Sequence, residues 1–254
     1  MFIKIHKPVT NTLRFKKSIF LIKFKNFFKF FKNSCKNNAG RNNSGVLTLF
    51  SKCAKRKKNI SITCFMYLSK SLSRLVSVFR NKKKIFSMCR HTTGSLSIMP
   101  HIIGVVINQK IFSSVLPKKY WINGLPGNFA LLANLNRYDI FSNVYILGFR
   151  KIATSAGTFC QVIDFFLDFN LIRVSLPSKK CMFLLGFNFV ILGRNSQQQK
   201  KFCVVGKAGY NIIDGKKPKV RGVARNPVDH PHGGRTKTNK PEVSIWGWIA
   251  KKNK

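Results

Sequence analysis

The sequence predicts a mostly β chain: two small barrels in series, with extended basic segments at the N- and C-terminal ends. Two observations carry the barrels. Between residues 40 and 205, apolar runs of four to nine residues alternate with turn residues, the spacing of short strands. The run NGLPGN at residues 123–128 gathers two glycines, a proline and two asparagines between two such sets, and so marks a boundary. A third observation carries the ends: 47 Lys plus Arg stand against six Asp plus Glu, a formal charge of +41 on 254 residues.

That surplus restricts function. The acids are Asp139, Asp164, Asp168, Asp214, Asp229 and Glu242, so the first 138 residues hold 27 Lys or Arg and no carboxylate. Such a surface has no ion pairs of its own and repels itself until a polyanion neutralises it. Nucleic acid is the expected partner, ahead of an anionic membrane surface. At 44% hydrophobic residues the chain can build ordinary cores in one or two domains. The longest apolar run, CMFLLGFNFVIL at residues 181–192, is too short to span a bilayer and is interrupted by Asn188, so no transmembrane segment is expected. Seven cysteines, at 35, 53, 64, 89, 160, 181 and 203, include no C-x-x-C pair; free thiols in a reducing compartment are expected rather than a zinc site. The wealth of Phe (24), Lys, Asn and Ile reads as the bias of an AT-rich genome, often an organellar one.

Residues 1–39 form a basic Phe/Lys-rich extension. Phe20, Phe24, Phe27, Phe28 and Phe31 fall in a stripe on a basic helix. Three uses stay open for it. A transit peptide fits poorly with one Arg, Arg14, against nine Lys. A membrane-surface helix would place the stripe on lipid. An RNA-binding extension would turn its Lys face to RNA and its Phe face to protein or bases.

Over residues 40–122, strands are predicted at 46–50, 60–68, 72–79, 85–88 and 102–107, and a small barrel is the economical arrangement. GRNNSG at 40–45 is a polar turn. Lys55, Arg56, Lys57 and Lys58 are four consecutive cations between strands, read as phosphate contact on a surface without acids. Residues 81–84 are a second cationic turn, and between 91 and 120 the strand count and pairing stay open.

Over residues 123–205, strands are predicted at 144–149, 159–166, 171–174, 182–185 and 187–192, read as an SH3-like barrel. Arg150 and Lys151 precede IATSAGT at 152–158. Ser155 is not a nucleophile on an elbow, because Ala153 stands where G-x-S-x-G needs its first glycine. Asp164 and Asp168 would lie ~13 Å apart on one strand face, too far for a catalytic carboxylate pair. GKAG at 206–209 lacks both the Ser or Thr and the upstream glycine of a nucleotide-binding loop.

The last segment, 206–254, holds KVRGVARNPVDHPHGGRTKTNK at 219–240. Pro227 and Pro231 push Asn226 and His230 out of helical conformation. No period of two or 3.6 gives it a face to bury. Its order is expected to come from an outside anionic surface met by Arg221, Arg225, Arg235, Lys237 and Lys240.

The run NPVDHPHGGR, from Asn226 to Arg235, resembles the signature of the second universal protein of the large ribosomal subunit, the L2 family. Echoes follow in the family's order: Gly40, Arg41, Asn42, Asn43 and Gly45; Pro126, Gly127 and Asn128; Ser155, Ala156, Gly157 and Thr158; and Gly206, Lys207, Ala208 and Gly209. They cover roughly residues 40 to 250. The resemblance implies an oligonucleotide-binding (OB-fold-like) barrel over 40–122, the SH3-like barrel over 123–205, and a tail over 206–254 that threads into RNA. Two departures stand out. Ser51, Lys52, Cys53 and Ala54 replace a glycine-rich loop, and Arg235, Thr236 and Lys237 replace a glycine-rich continuation.

What the resemblance implies for function is a structural constituent of the large subunit, not an enzyme. It would bind large-subunit rRNA through Arg41, Asn42, Lys55, Arg56, Lys57, Lys58, Arg150, Lys151, Ser155, Lys207, Arg221, Arg225, Asn226, His230, His232, Arg235 and Lys237. Asp229, His230, Pro231, His232 and Gly233 would form a loop toward the peptidyl-transferase region, His230 donating to an RNA phosphate or base edge. No cofactor of its own is implied; Mg ions bound by rRNA would lie near Asp229. The implied partners are rRNA and neighbouring ribosomal proteins, with no small-molecule substrate, no membrane contact and no homo-oligomer. The expected location is the mitochondrion, in the matrix, with the plastid as alternative. Two rival functions remain from the residues alone. A metal-dependent hydrolase would use Asp229, His230 and His232 but lacks a second carboxylate cluster. A general basic nucleic-acid-binding protein would show no preference for structured RNA.

Overall fold

The structure, a computed structural model, describes residues 3–19, 32–35, 37–53, 58–61, 71–81, 84–113, 125–146, 149–166, 168–234 and 241–249. Among them the chain is mostly β, as expected. Strands β1 (Ile3–Ile5) and β2 (Lys17–Ile19) pair antiparallel around the single-turn helix α1 (Asn11–Arg14). The Thr10 hydroxyl caps that helix by accepting from the Leu13 N–H at 3.4 Å. A second two-stranded sheet joins β3 (Lys32–Cys35) and β4 (Lys58–Ser61).

The other eleven strands share one sheet. They are β5 (Ser71–Asn81), β6 (Lys84–His91), β7 (Leu96–Pro100), β8 (Lys110–Ser113), β9 (Phe129–Leu131), β10 (Ile140–Ile146), β11 (Phe149–Ile152), β12 (Cys160–Phe166), β13 (Leu171–Ser175), β14 (Cys181–Leu185) and β15 (Phe189–Leu192). Their order is β14-β13-β12-β10-β15-β9-β8-β5-β6-β7, with β11 on β10. The halves meet at β8 and β9 through one parallel register position, Ser113 opposite Phe129. These two strands flank the NGLPGN boundary. Among the described residues, no pairing closes either half into a barrel.

Burial explains the strands. β6 buries Ile85 to Cys89 in succession and β7 buries Ser97 to Pro100, as strands covered on both faces do. Phe79, Phe86, Met88 and Ile98 form one cluster; Leu75, Cys89, Met99, Ile102, Val105 and Ile111 form another. Tyr145 and Ile191, from the second half, join the latter, so the halves share core as well as sheet. In β13 and β14 the pattern alternates. Ile172, Val174 and Leu184 are buried with Phe141, Val144, Val162 and Val190. Each such side chain contributes about 1.5–3 kcal/mol.

By contacts, the chain groups into two compact units, residues 1–34 with 59–206 and residues 35–58 with 207–254. The second is built by early and late segments together. Lys52 bridges Lys216, Ser51 O accepts from the Lys217 N–H at 3.0 Å, and Gly215 O accepts from the Cys53 N–H at 3.2 Å. The buried Cys53 thiol donates to Ile212 O, 3.2 Å away, in the helix α2 (Ala208–Ile213).

Three expectations are corrected. Residues 46–50 are not a strand: Thr48 and Leu49 both donate their N–H groups to Gly40 O, which curls the run back over its own turn. Among the described residues, 102–107 make one bridge, Ile102 to Asn195, because Gly104 (φ +89) and Asn108 (φ +69) bend the backbone away from a ladder. Residues 219–234 carry internal order rather than lying extended, as the loop below shows. Conversely, β7, β8 and β9 arise where no strand was predicted. The Phe stripe at 20–31 and most of the predicted strand at 60–68 lie outside the described residues.

Candidate nucleic-acid interface

The loop that carries the NPVDHPHGGR run is folded around His230. Asn226 O accepts from the N–H groups of Asp229 (3.0 Å) and His230 (3.3 Å), which closes a turn over Pro227 and Val228. Gly233 N–H then donates to His230 O at 2.8 Å, and Gly234 N–H to Arg225 O at 3.3 Å. Only 8% of His230 is exposed. Its Nδ1 accepts the His232 backbone N–H at 3.0 Å, so the ring is neutral with its proton on Nε2. Desolvation, then the charges of His232 and Arg225, hold its pKa below the ordinary value, which favours the same neutral form.

Two glycines make room for this ring and this turn. A Cβ at Gly222 would meet the His230 Nδ1 and Cε1 at 2.6 Å, and one at Gly233 would strike the Asn226 carbonyl. The His232 ring sits 4.8 Å from that of His230, and its Nε2 lies 2.8 Å from Pro241 O and 3.2 Å from the Val243 N. What the loop presents outward is Pro227, Val228 and Asp229, with Val228 91% exposed. The guanidinium of Arg225, behind it, lies 5.4 Å above the Phe50 ring. His230 therefore supports the loop from inside with its proton on Nε2, and Asp229 stands on the exposed tip.

The turn at 153–158 is held by two buried asparagines. Asn143 interrupts β10 at φ +54, where the register shifts against β11 and β15. Its Nδ2 donates to Asn195 Oδ1 at 2.7 Å; Asn195 Nδ2 in turn donates to Ala153 O (2.6 Å) and Ser155 O (3.2 Å). Arg194 Nε donates to Gly157 O at 2.8 Å, and its guanidinium stacks 4.9 Å from Phe159. Ser155 itself is exposed. Asn143 and Asn195 were not singled out in the sequence. The only signal was a polar residue inside the apolar run of β10.

In the second unit, Arg41 Nη1 donates to Gly45 O at 3.0 Å and Asn42 Oδ1 accepts the Val46 N–H at 2.9 Å, so both serve their own turn. Lys207 precedes α2 with its ammonium 5.4 Å from the Tyr210 ring. Close by, Lys52, Lys216, Lys217 and Lys219 line an open cleft of about 620 Å³ with Ser51, Asn211 and Pro218. Among the described residues, no carboxylate lines it. This basic cleft was not foreseen, because its two walls are 159 positions apart at the Cys53–Ile212 contact.

The predicted residues thus fall into three described places: Arg41, Asn42, Lys207, Arg221, Arg225, Asn226 and the loop 229–233 in the second unit; Ser155 on the turn of the first; and Lys58, Arg150 and Lys151 on strands β4 and β11. Lys55, Arg56, Lys57, Arg235 and Lys237 lie outside the described residues. Among the described residues, no group of three or more His, Cys, Asp or Glu is placed to hold a metal ion. No described helix is long and apolar enough to cross a membrane.

Comparison with known proteins bears on the same residues. A family model described as Ribosomal Proteins L2, C-terminal domain, matches residues 126–247. The large ribosomal subunit protein uL2m of Paramecium tetraurelia, a mitochondrial form, is 31% identical over 225 residues, which span 82% of this chain and 85% of that protein. The large ribosomal subunit protein uL2 of Brucella melitensis is 31% identical over 220 residues, 82% of this chain and 76% of its own. That of Xanthobacter autotrophicus is 28% identical over 223 residues, 85% and 78%.

Proposed function

This chain belongs to the ribosomal protein L2 family, proteins of the large ribosomal subunit, and from that premise we propose that it binds large-subunit rRNA and supports the peptidyl-transferase region of a mitochondrial ribosome. The loop at 226–234 carries the reading. It lies inside the matched family region, orders itself by its own hydrogen bonds, and offers a narrow exposed tip beside Arg221 and Arg225. Lys and Arg displace condensed counterions from phosphates, while the small residues of the 153–158 turn allow close approach.

In this reading the first barrel region spans 40–122, the second 123–205, and 206–254 threads into RNA. The chain carries no cofactor of its own, and Asp229 approaches Mg ions held by rRNA. It acts as one copy among neighbouring ribosomal proteins, with no small-molecule substrate and no membrane contact. The mitochondrial location is supported by the likeness to the Paramecium uL2m.

The test is sedimentation of organelle lysate at moderate magnesium. The chain should travel with mitochondrial large subunits and leave that fraction when the RNA is digested. A free species would refute the proposal. Equal binding of duplex DNA and structured RNA by the purified chain would favour a general basic binder instead.

A further inference from the structure

The outer face of β12, β13 and β14 breaks the rule that a half-exposed antiparallel sheet puts polar side chains outward. Phe166, Phe183 and Leu185 stand there 44%, 55% and 53% exposed. Turns at the ends of β12 and β14 add Phe169 and Phe187, 74% and 71% exposed. Register makes these a single patch: Leu171 lies opposite both Phe166 and Leu185, and Phe166 meets Phe183 edge-on at 5.5 Å. β14 is also the last strand of its sheet, with no further ladder partner among the described strands. An apolar face beside an open edge is an association site unless something covers it.

Charge decides what covers it. Residues 159–192 hold Arg173, Lys179 and Lys180 against Asp164 and Asp168, three minus two, a net +1 on a chain of +41. Arg137, paired with Asp164 at 3.3 Å, makes it four minus two, a net +2. Phosphate backbones need cations, and this face has almost none to spare. A second copy would bring two bodies of charge +41 together.

We propose that this face docks a neighbouring protein: an extended, weakly charged segment that adds as a strand to β14 and lays alternate apolar side chains beside Phe183 and Leu185. The site is separate from the basic loops and goes beyond the RNA-binding role.

Cys181 reports on it, being exposed at the start of β14 and on the same face as Phe183 and Leu185. The experiment labels the native assembly that contains the full chain with N-ethylmaleimide and reads Cys181 by mass spectrometry. Labelling should be about tenfold slower than in the purified full chain, since thiol reactivity follows access. The shielding should persist after nuclease digestion of the RNA. Amide exchange across Cys181–Leu185 should slow in parallel, because an added strand captures the outward N–H groups. Phe187→Asp, in a turn outside the core, should restore labelling in the assembly while leaving the rate in the purified chain unchanged. Equal labelling of assembly and purified chain overturns the proposal, as does shielding that vanishes with the RNA. Shielding without slowed amide exchange overturns the strand addition.

Discussion

Gly222 and Gly233 both press on the loop around His230, yet they differ in what a methyl group would strike. At Gly222 it meets an imidazole ring, which can rotate; at Gly233 it meets the backbone of Asn226 and Pro227, which cannot move without opening the turn. Gly233→Ala should therefore destabilise the loop by about 2–3 kcal/mol and Gly222→Ala by about 1 kcal/mol. Amide exchange at Asp229, His230 and Gly233 checks this, and equal protection in both variants would contradict it. At this scale the sequence was partly legible. The prolines and glycines of 226–234 announced a constrained loop, but the direction in which His230 points depends on the Nδ1 bond to the His232 N–H and on space left at Gly222. Neither contact has a sequence pattern.

The pair β6–β7 is fastened by two histidine–serine contacts. His101 Nδ1 lies 2.8 Å from Ser87 Oγ, and His91 Nε2 lies 2.7 Å from Ser97 Oγ. Burial lowers both imidazole pKa values, that of His101 to about 4 from an ordinary 6.5. The unfolded chain thus takes up a proton near 6.5 that the folded chain refuses until about 4. The stability tied to neutral His101 is complete above pH 6.5, falls as pH drops toward about 4, and changes no further below that. It amounts to about 3 kcal/mol. His101→Gln should flatten the acid side of the melting-temperature profile in that window; an unchanged slope would refute the assignment. Apolar runs bounded by turn residues, such as those of β12 and β13, could be read from sequence. The run at 46–50 could not, because the Thr48 and Leu49 N–H groups bond Gly40 O instead of a ladder partner, and β8 and β9 could not, because they pair with strands distant in sequence, β5 and β15.

Net charge acts on the molecule as a whole. If the basic surface meets rRNA as proposed, affinity for large-subunit RNA should fall by about a thousandfold between 50 and 200 mM salt. Lys52→Gln and Lys217→Gln, in the cleft of the second unit, should each lower the log–log salt slope by about 1. A slope left intact by both would take that cleft out of the interface. Composition alone predicted a polyanionic partner, since +41 can be read without any fold. The grouping of residues 35–58 with 207–254 could not be read, because nothing local to Ser51 or Cys53 names Lys217 or Gly215. That grouping also sets a timetable. During synthesis, residues 37–53 emerge early, Leu49 and Phe50 among them, and must wait for α2 and Lys216 before Cys53 and Lys52 find their mates. The nascent chain therefore spends most of its elongation with that early stretch unmatched, open to chaperones and to premature capture by any polyanion within reach.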